Sequence, residues 1–195
     1  MGWIARRGQQ ERAKCLLRVE SHASDWTNRE DFLGAYARSA TVITARGRKG
    51  FSRGPTLVPW GHTPELVAGG MSCASGSSLV VTEHPMLPLE HWATTLRAVD
   101  VLTGQITPDT RTDEQRELQE QMAWISYNGW TNSPAKHSSH TVLPQLAETG
   151  LTWAGFVGTM LALVPVRVDL KDMLRVAPAS WKCEAAERLR ALSTP

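Results

Sequence analysis

Residues 56–83, TLVPWGHTPELVAGGMSCASGSSLVVTE, decide the fold. TLVPW at 56–60 is β-branched and apolar, which suits a strand; Pro59 cannot donate to a ladder, so that strand is near a sheet edge or ends there. Gly61 and His62 turn the chain, Thr63 is a good N-cap, and Pro64 occupies the first helical position, where its missing N–H costs nothing. A helix through ELVAGGM toward Cys73 follows, weakened by Gly69 and Gly70, and then a second strand, LVVT at 79–82. Strand, helix and strand at this spacing form a βαβ unit with parallel strands and a right-handed crossover. Both strands therefore end at one edge of the sheet, which carries His62 after the first and Glu83 and His84 after the second. Open α/β sheets bind ligands at that carboxyl edge.

Upstream, TVITA at 41–45 reads as a further strand, and Thr27-x-x-Glu30 reads as a capping box opening a helix through Arg38. QQERAKCLLRVE at 9–20 reads as a short helix. Downstream, a helix spans 88–98, and residues 99–107 read as a marginal hairpin turned at Gly104. Thr112 to Gln115 is a capping box for a helix that Asn128 and Gly129 end; a long polar connection follows, and Pro144 starts a short helix ended by Gly150. Thr152 caps the apolar WAGFVGTMLALV, a core helix, and 169–176 and 180–192 complete the helical set. The expected fold is a single α/β domain over 1–195: N-terminal helices (1–40), a small, partly parallel sheet region (41–107) with its βαβ unit at about 56–83, and a mostly helical C-terminal half (108–195). Tryptophans at 26, 60, 92, 124, 153 and 181 recur at similar spacing in unlike contexts, and are assigned to core packing.

With 195 residues, 42% of them hydrophobic, the chain can bury a sizeable core. It contains no apolar run near the roughly 18 residues of a membrane span. Its three cysteines, at 15, 73 and 183, stand in no CxxC spacing and read as reduced thiols; a soluble, cytoplasmic protein with no membrane partner is expected. The net charge of +2 conceals an asymmetry: residues 1–53 carry eleven Lys and Arg against five Asp and Glu (+6), the remainder ten against fourteen (−4). Between Phe32 and Pro64 there is no acid. Such a basic segment favours an anionic partner.

Three groups of residues can carry chemistry. The first is the strand-end set of His62, Glu83 and His84, which can supply a catalytic base with its orienting acid, or ligate a divalent metal. The second is RGRKGFSRG at 46–54, where glycines allow backbone amides to approach a phosphate, Arg46, Arg48, Lys49 and Arg53 supply cations, and Phe51 can stack on a base. This segment matches neither the P-loop nor the dinucleotide pattern, and no stretch of the chain carries a named family signature. The third is His137-x-x-His140, a metal-ligand pair if helical; with His62 and His84 these are the candidate metal ligands. The leading functional expectation is a binding or regulatory module for nucleic acid, a nucleotide or another phosphorylated small molecule, held through the basic glycine-rich loop. The alternatives are a small hydrolase-like or metal-dependent enzyme at the strand-end edge and a ligand-free structural or interaction protein. The residues specify no cofactor and no oligomeric state.

Overall fold

The computed structural model describes residues 15–44 and 53–193. They divide into two compact units, Met1–His84 and Pro85–Pro195. The first is built on a four-stranded sheet of β1 (Leu16–Val19), β2 (Thr41–Thr44), β3 (Thr56–Gly61) and β4 (Leu79–Glu83). The strand order is β2-β1-β3-β4 and every pairing is parallel. Two helices, α1 (Ala23–Thr27) and α2 (Phe32–Ser39), connect β1 to β2, and α3 (Pro64–Cys73) connects β3 to β4.

From β1 the chain steps to β2 on one side, then returns past β1 to β3 and continues to β4 on the other. Right-handed crossovers running in opposite directions put their helices on opposite faces. Side chains alternate accordingly. Leu17, Val19 and Leu57 pack with Trp26 of α1 and with Tyr36 and Ala37 of α2, while Val58 and Leu79 meet α3 at Gly70, where a Cβ would lie 2.5 Å from a Val58 methyl.

The βαβ unit of the sequence reading is present, with Thr63 accepting from the Leu66 N–H at the start of α3. Several neighbouring expectations are corrected. Residues 16–19 are a strand, not the end of a helix: four residues with Leu16, Leu17 and Val19 buried fill the middle of the sheet, hydrogen-bonded on both sides. The helix expected from Thr27 starts later, at Phe32, because Asp31, not Thr27, caps α2 by accepting from the Gly34 N–H; Thr27 instead closes α1. β3 is an interior strand, not an edge, and Pro59 is tolerated because the ladder breaks there. Val58 pairs with Val81 and Gly61 with Glu83, three steps along β3 for two along β4, which is a bulge.

The second unit is helical: α4 (Glu90–Leu96), α5 (Asp113–Ile125), α6 (Ser133–Glu148), α7 (Trp153–Leu163), α8 (Leu170–Val176) and α9 (Ala179–Ser193). The apolar α7 is its core, with Phe156 stacked 4.8 Å from Trp181 and edge-on to Trp130. Gly155 and Gly158 let α4 approach closely, so His91 lies against α7. The polar connection before Pro144 is instead the first part of α6, capped by Asn132, with Pro144 inside the helix. The hairpin reduces to one antiparallel bridge, Val99 to Ile106, with Gly104 at φ +72° in its turn. Trp124 is 82% exposed and is not a core residue.

A polar network, buried at Gln119 and Thr159, ties α5 to α7. Arg111 donates from Nε and Nη2 to the two Asp109 carboxylate oxygens (2.9 and 2.8 Å) and from Nη1 to Gln119, whose amide donates to Thr159. The hydrogen bonds from Arg111 hold the Asp109 carboxyl well below the usual range. Its folded-state value is depressed, so its stabilisation is complete above the unfolded value of about 4 and is lost as pH falls below it. Denaturant titrations at stepwise lower pH should show that acid loss in the wild type and a flatter profile in Asp109→Asn. On the sheet, Leu17 is 0% exposed on the central strand and Leu102 is 96% exposed. Leu17→Ala should cost about 2–5 kcal/mol of unfolding free energy, and Leu102→Ala less than about 0.5 kcal/mol.

Candidate functional site

Parallel pairing brings the ends of β1, β3 and β4 to one edge of the first unit, and each delivers a polar side chain. Glu20 follows β1, His62 follows β3, and Glu83 and His84 close β4. His62 Nε2 lies 2.5 Å from Glu20 Oε2 and its Nδ1 lies 3.1 Å from the Trp60 carbonyl oxygen. The His84 ring stands edge-on to His62 with centroids 5.7 Å apart. The edge placement of His62 and His84 is therefore as the βαβ argument required, but the carboxylate on the imidazole is Glu20, which the sequence reading had placed on a helix. Glu83 is in register with Gly61 and exposed.

Both partners of His62 are acceptors. A neutral ring has one N–H and can satisfy only one of them; the doubly protonated ring satisfies both.

Beside this pair lies a cavity of about 250 Å³ lined by Arg18, Val19, Glu20, Ser21, Trp26, Pro59, Trp60, His62 and Leu66. The bulge at Pro59 turns Trp60 outward. It is 40% exposed, whereas the other β3 residues are buried. Trp60 and the buried Trp26 form a tilted pair with centroids 5.1 Å apart, and the Arg29 guanidinium sits 5.5 Å from both rings. Asp31 holds Arg29 there, receiving Nε and Nη2, while also capping α2.

Arg18 is the least expected member. It is a part-buried cation on the central strand, donating from Nη1 to the Thr44 carbonyl at 2.7 Å. Its Nε is buried and has no acceptor among the described residues. A buried N–H left unmade costs about 1–3 kcal/mol. Among the described residues Arg18 forms no ion pair with a carboxylate.

Of the basic loop, Arg46, Arg48, Lys49 and Phe51 lie outside the described residues. Arg53 is exposed, next to Gly54, whose N–H meets the Cys73 carbonyl, and two residues before Pro55 bonds to Leu16; it is at the amino edge of the sheet, opposite His62. His137 and His140 are on α6, three residues apart and both exposed. Among the described residues no three His, Cys, Asp or Glu side chains form a group able to hold a metal ion. Nor, among them, is any helix long and apolar enough to cross a membrane.

Asp31 supplies a pH test of the aromatic wall. Hydrogen bonds from Arg29 and then from the Gly34 N–H lower its carboxyl from the ordinary range to about 2. The Arg29 contact is thus intact above about pH 4 and is lost as pH falls through about 2. The Asp31 carboxyl carbon signal should titrate with that midpoint and the Trp26 and Trp60 indole N–H signals should move with it; in Asp31→Asn the indole signals should not titrate. Comparison with protein families, curated proteins and solved structures finds no match for the chain.

Proposed function

We propose that the chain is a ligand-binding module whose site is the β1/β3 cavity, and that it takes one small anionic molecule with a planar group, for which a mononucleotide is the type. The observation that carries the reading is the position of the cavity. Its lining comes from β1 (Arg18, Val19) and β3 (Pro59, Trp60) and the residues that follow each. In the order β2-β1-β3-β4 these are the two strands between which the chain reverses its direction of winding. In open parallel sheets, adjacent connections there leave in opposite directions and open a crevice at the carboxyl ends. The chemistry agrees: a half-exposed indole offers a stacking surface, and Arg18 offers positive charge beside it.

A volume of about 250 Å³ suits a single small molecule more than a length of nucleic acid. The basic residues Arg46, Arg48 and Lys49 lie outside the described residues and support an anionic ligand only through the charge they add in the sequence. A hydrolase built on His62 has less support, because both its ring nitrogens already face acceptors. The cysteines that line up with a reducing, cytoplasmic setting are free thiols.

Titrating AMP into the ¹⁵N-labelled protein should shift the indole N–H signals of Trp26 and Trp60 and leave that of Trp124, in the second unit, in place. Trp60→Ala should weaken binding by about 1–3 kcal/mol. No movement of either indole signal with AMP at roughly 10 mM would sink the reading.

A further inference from the structure

Gly69 lies inside α3, where glycine is poorer than alanine by helix propensity. A Cβ placed there would meet the Arg18 side chain: its Nε at 2.7 Å, Nη2 at 2.9 Å and Cζ at 3.0 Å, the three nearest atoms all belonging to one guanidinium. The missing side chain is thus the space that the Arg18 head occupies. On the far side Thr44 fixes Nη1. Arg18 is held in place by a helix backbone and a strand carbonyl, on a strand whose ends are themselves fixed in the sheet.

So placed, it has charge and donors to spare. A guanidinium carries five N–H donors, and among the described residues the acceptor it meets is one neutral carbonyl. The carboxylate in the same cavity, Glu20, lies against His62. Cys73 feels the charge of Arg18, but burial dominates and pushes its thiol up, so it stays neutral and supplies no counter-ion.

We propose that Arg18 is the anion anchor of this cavity and Gly69 its positioning residue, and that the ligand presents a carboxylate or phosphate group on a compact planar frame. The inference rests on the reading of the β1/β3 cavity as a ligand site and adds which residue meets the charge. Arg is suited to both groups because its planar fork donates two parallel hydrogen bonds. Gly69 acts only through Arg18, so exchanging it should change selectivity for charge and not the fold.

The test uses two probe pairs that differ in the anionic group alone, AMP against adenosine and benzoate against benzamide, with the Trp26 and Trp60 indole signals as the readout. The wild type should prefer the charged member of at least one pair by roughly tenfold to hundredfold; which pair shows the preference distinguishes phosphate from carboxylate. Arg18→Gln should remove it. Gly69→Ala should shrink it while the melting temperature stays level or rises, since alanine favours the helix and the clashing group is the end of a flexible side chain. If Arg18→Gln does not fold, Gly69→Ala, which keeps the charge, decides. Preference for the charged probe surviving intact in the folded variants overturns the anchor role and leaves the site standing. Indole signals that ignore all four probes in the wild type overturn the site itself, and the anchor with it.

Discussion

Everything in the first unit depends on the two-sided pairing of β1. A parallel sheet has no hairpin to hold neighbours together locally, so its strands find each other only through crossovers. Leu16 is paired with both Thr41 and Thr56, and Leu17 with both Val42 and Leu57. β2 reaches the rest of the sheet through β1 alone. The same four residues give Leu17 and Val19 to the core under α1 and α2 and send Arg18 to the opposite face, toward α3. One strand therefore closes the sheet, separates its faces, and brings Arg18 and Glu20 to the cavity.

The unit from 56 to 83 was legible because each level agreed: apolar strand runs, a Thr cap, a proline at the first helical position, and a crossover length that admits only parallel pairing. From this followed the meeting of His62 and His84, twenty-two residues apart in sequence and edge to edge in space. β1 was not legible, for a physical reason. LLRV is a four-residue, mostly apolar segment preceded by good helix formers, and periodicity cannot separate a short buried strand from the last turn of a helix. Missing β1 meant missing Arg18 and Glu20, the cation and the carboxylate that line the cavity. The signal that could have found them is Arg18 itself, a cation interrupting an otherwise buried run.

The remaining differences have similarly local causes. Ser138 and Ser139 in SPAKHSSHTV read as a loop, yet Asn132 caps a helix through them and Ser139 turns its hydroxyl back onto the Ala135 carbonyl instead of competing with the helix. Trp60 was assigned to the core because a tryptophan in a buried strand usually belongs there; the bulge imposed by Pro59 reverses its side. Charge balance along the sequence was a guide to sign but not to place. Arg53 belongs to the basic segment by composition and to the opposite sheet edge by topology. Arg18 lies outside the acid-free stretch and is the cation at the cavity.

Arg18 also links stability to binding. A part-buried guanidinium that among the described residues meets no carboxylate and has one N–H lacking an acceptor makes the sheet less stable than its packing allows. An apolar residue at this position would remove that cost and would fill the space beside Gly69 as well. The arrangement is explained if the missing partner arrives from solution, because a ligand that binds only the folded state adds its own binding free energy to the stability of the fold. On this argument the destabilising feature and the binding feature are one side chain. The strand that joins β2 to the rest of the sheet is also the strand that carries this charge.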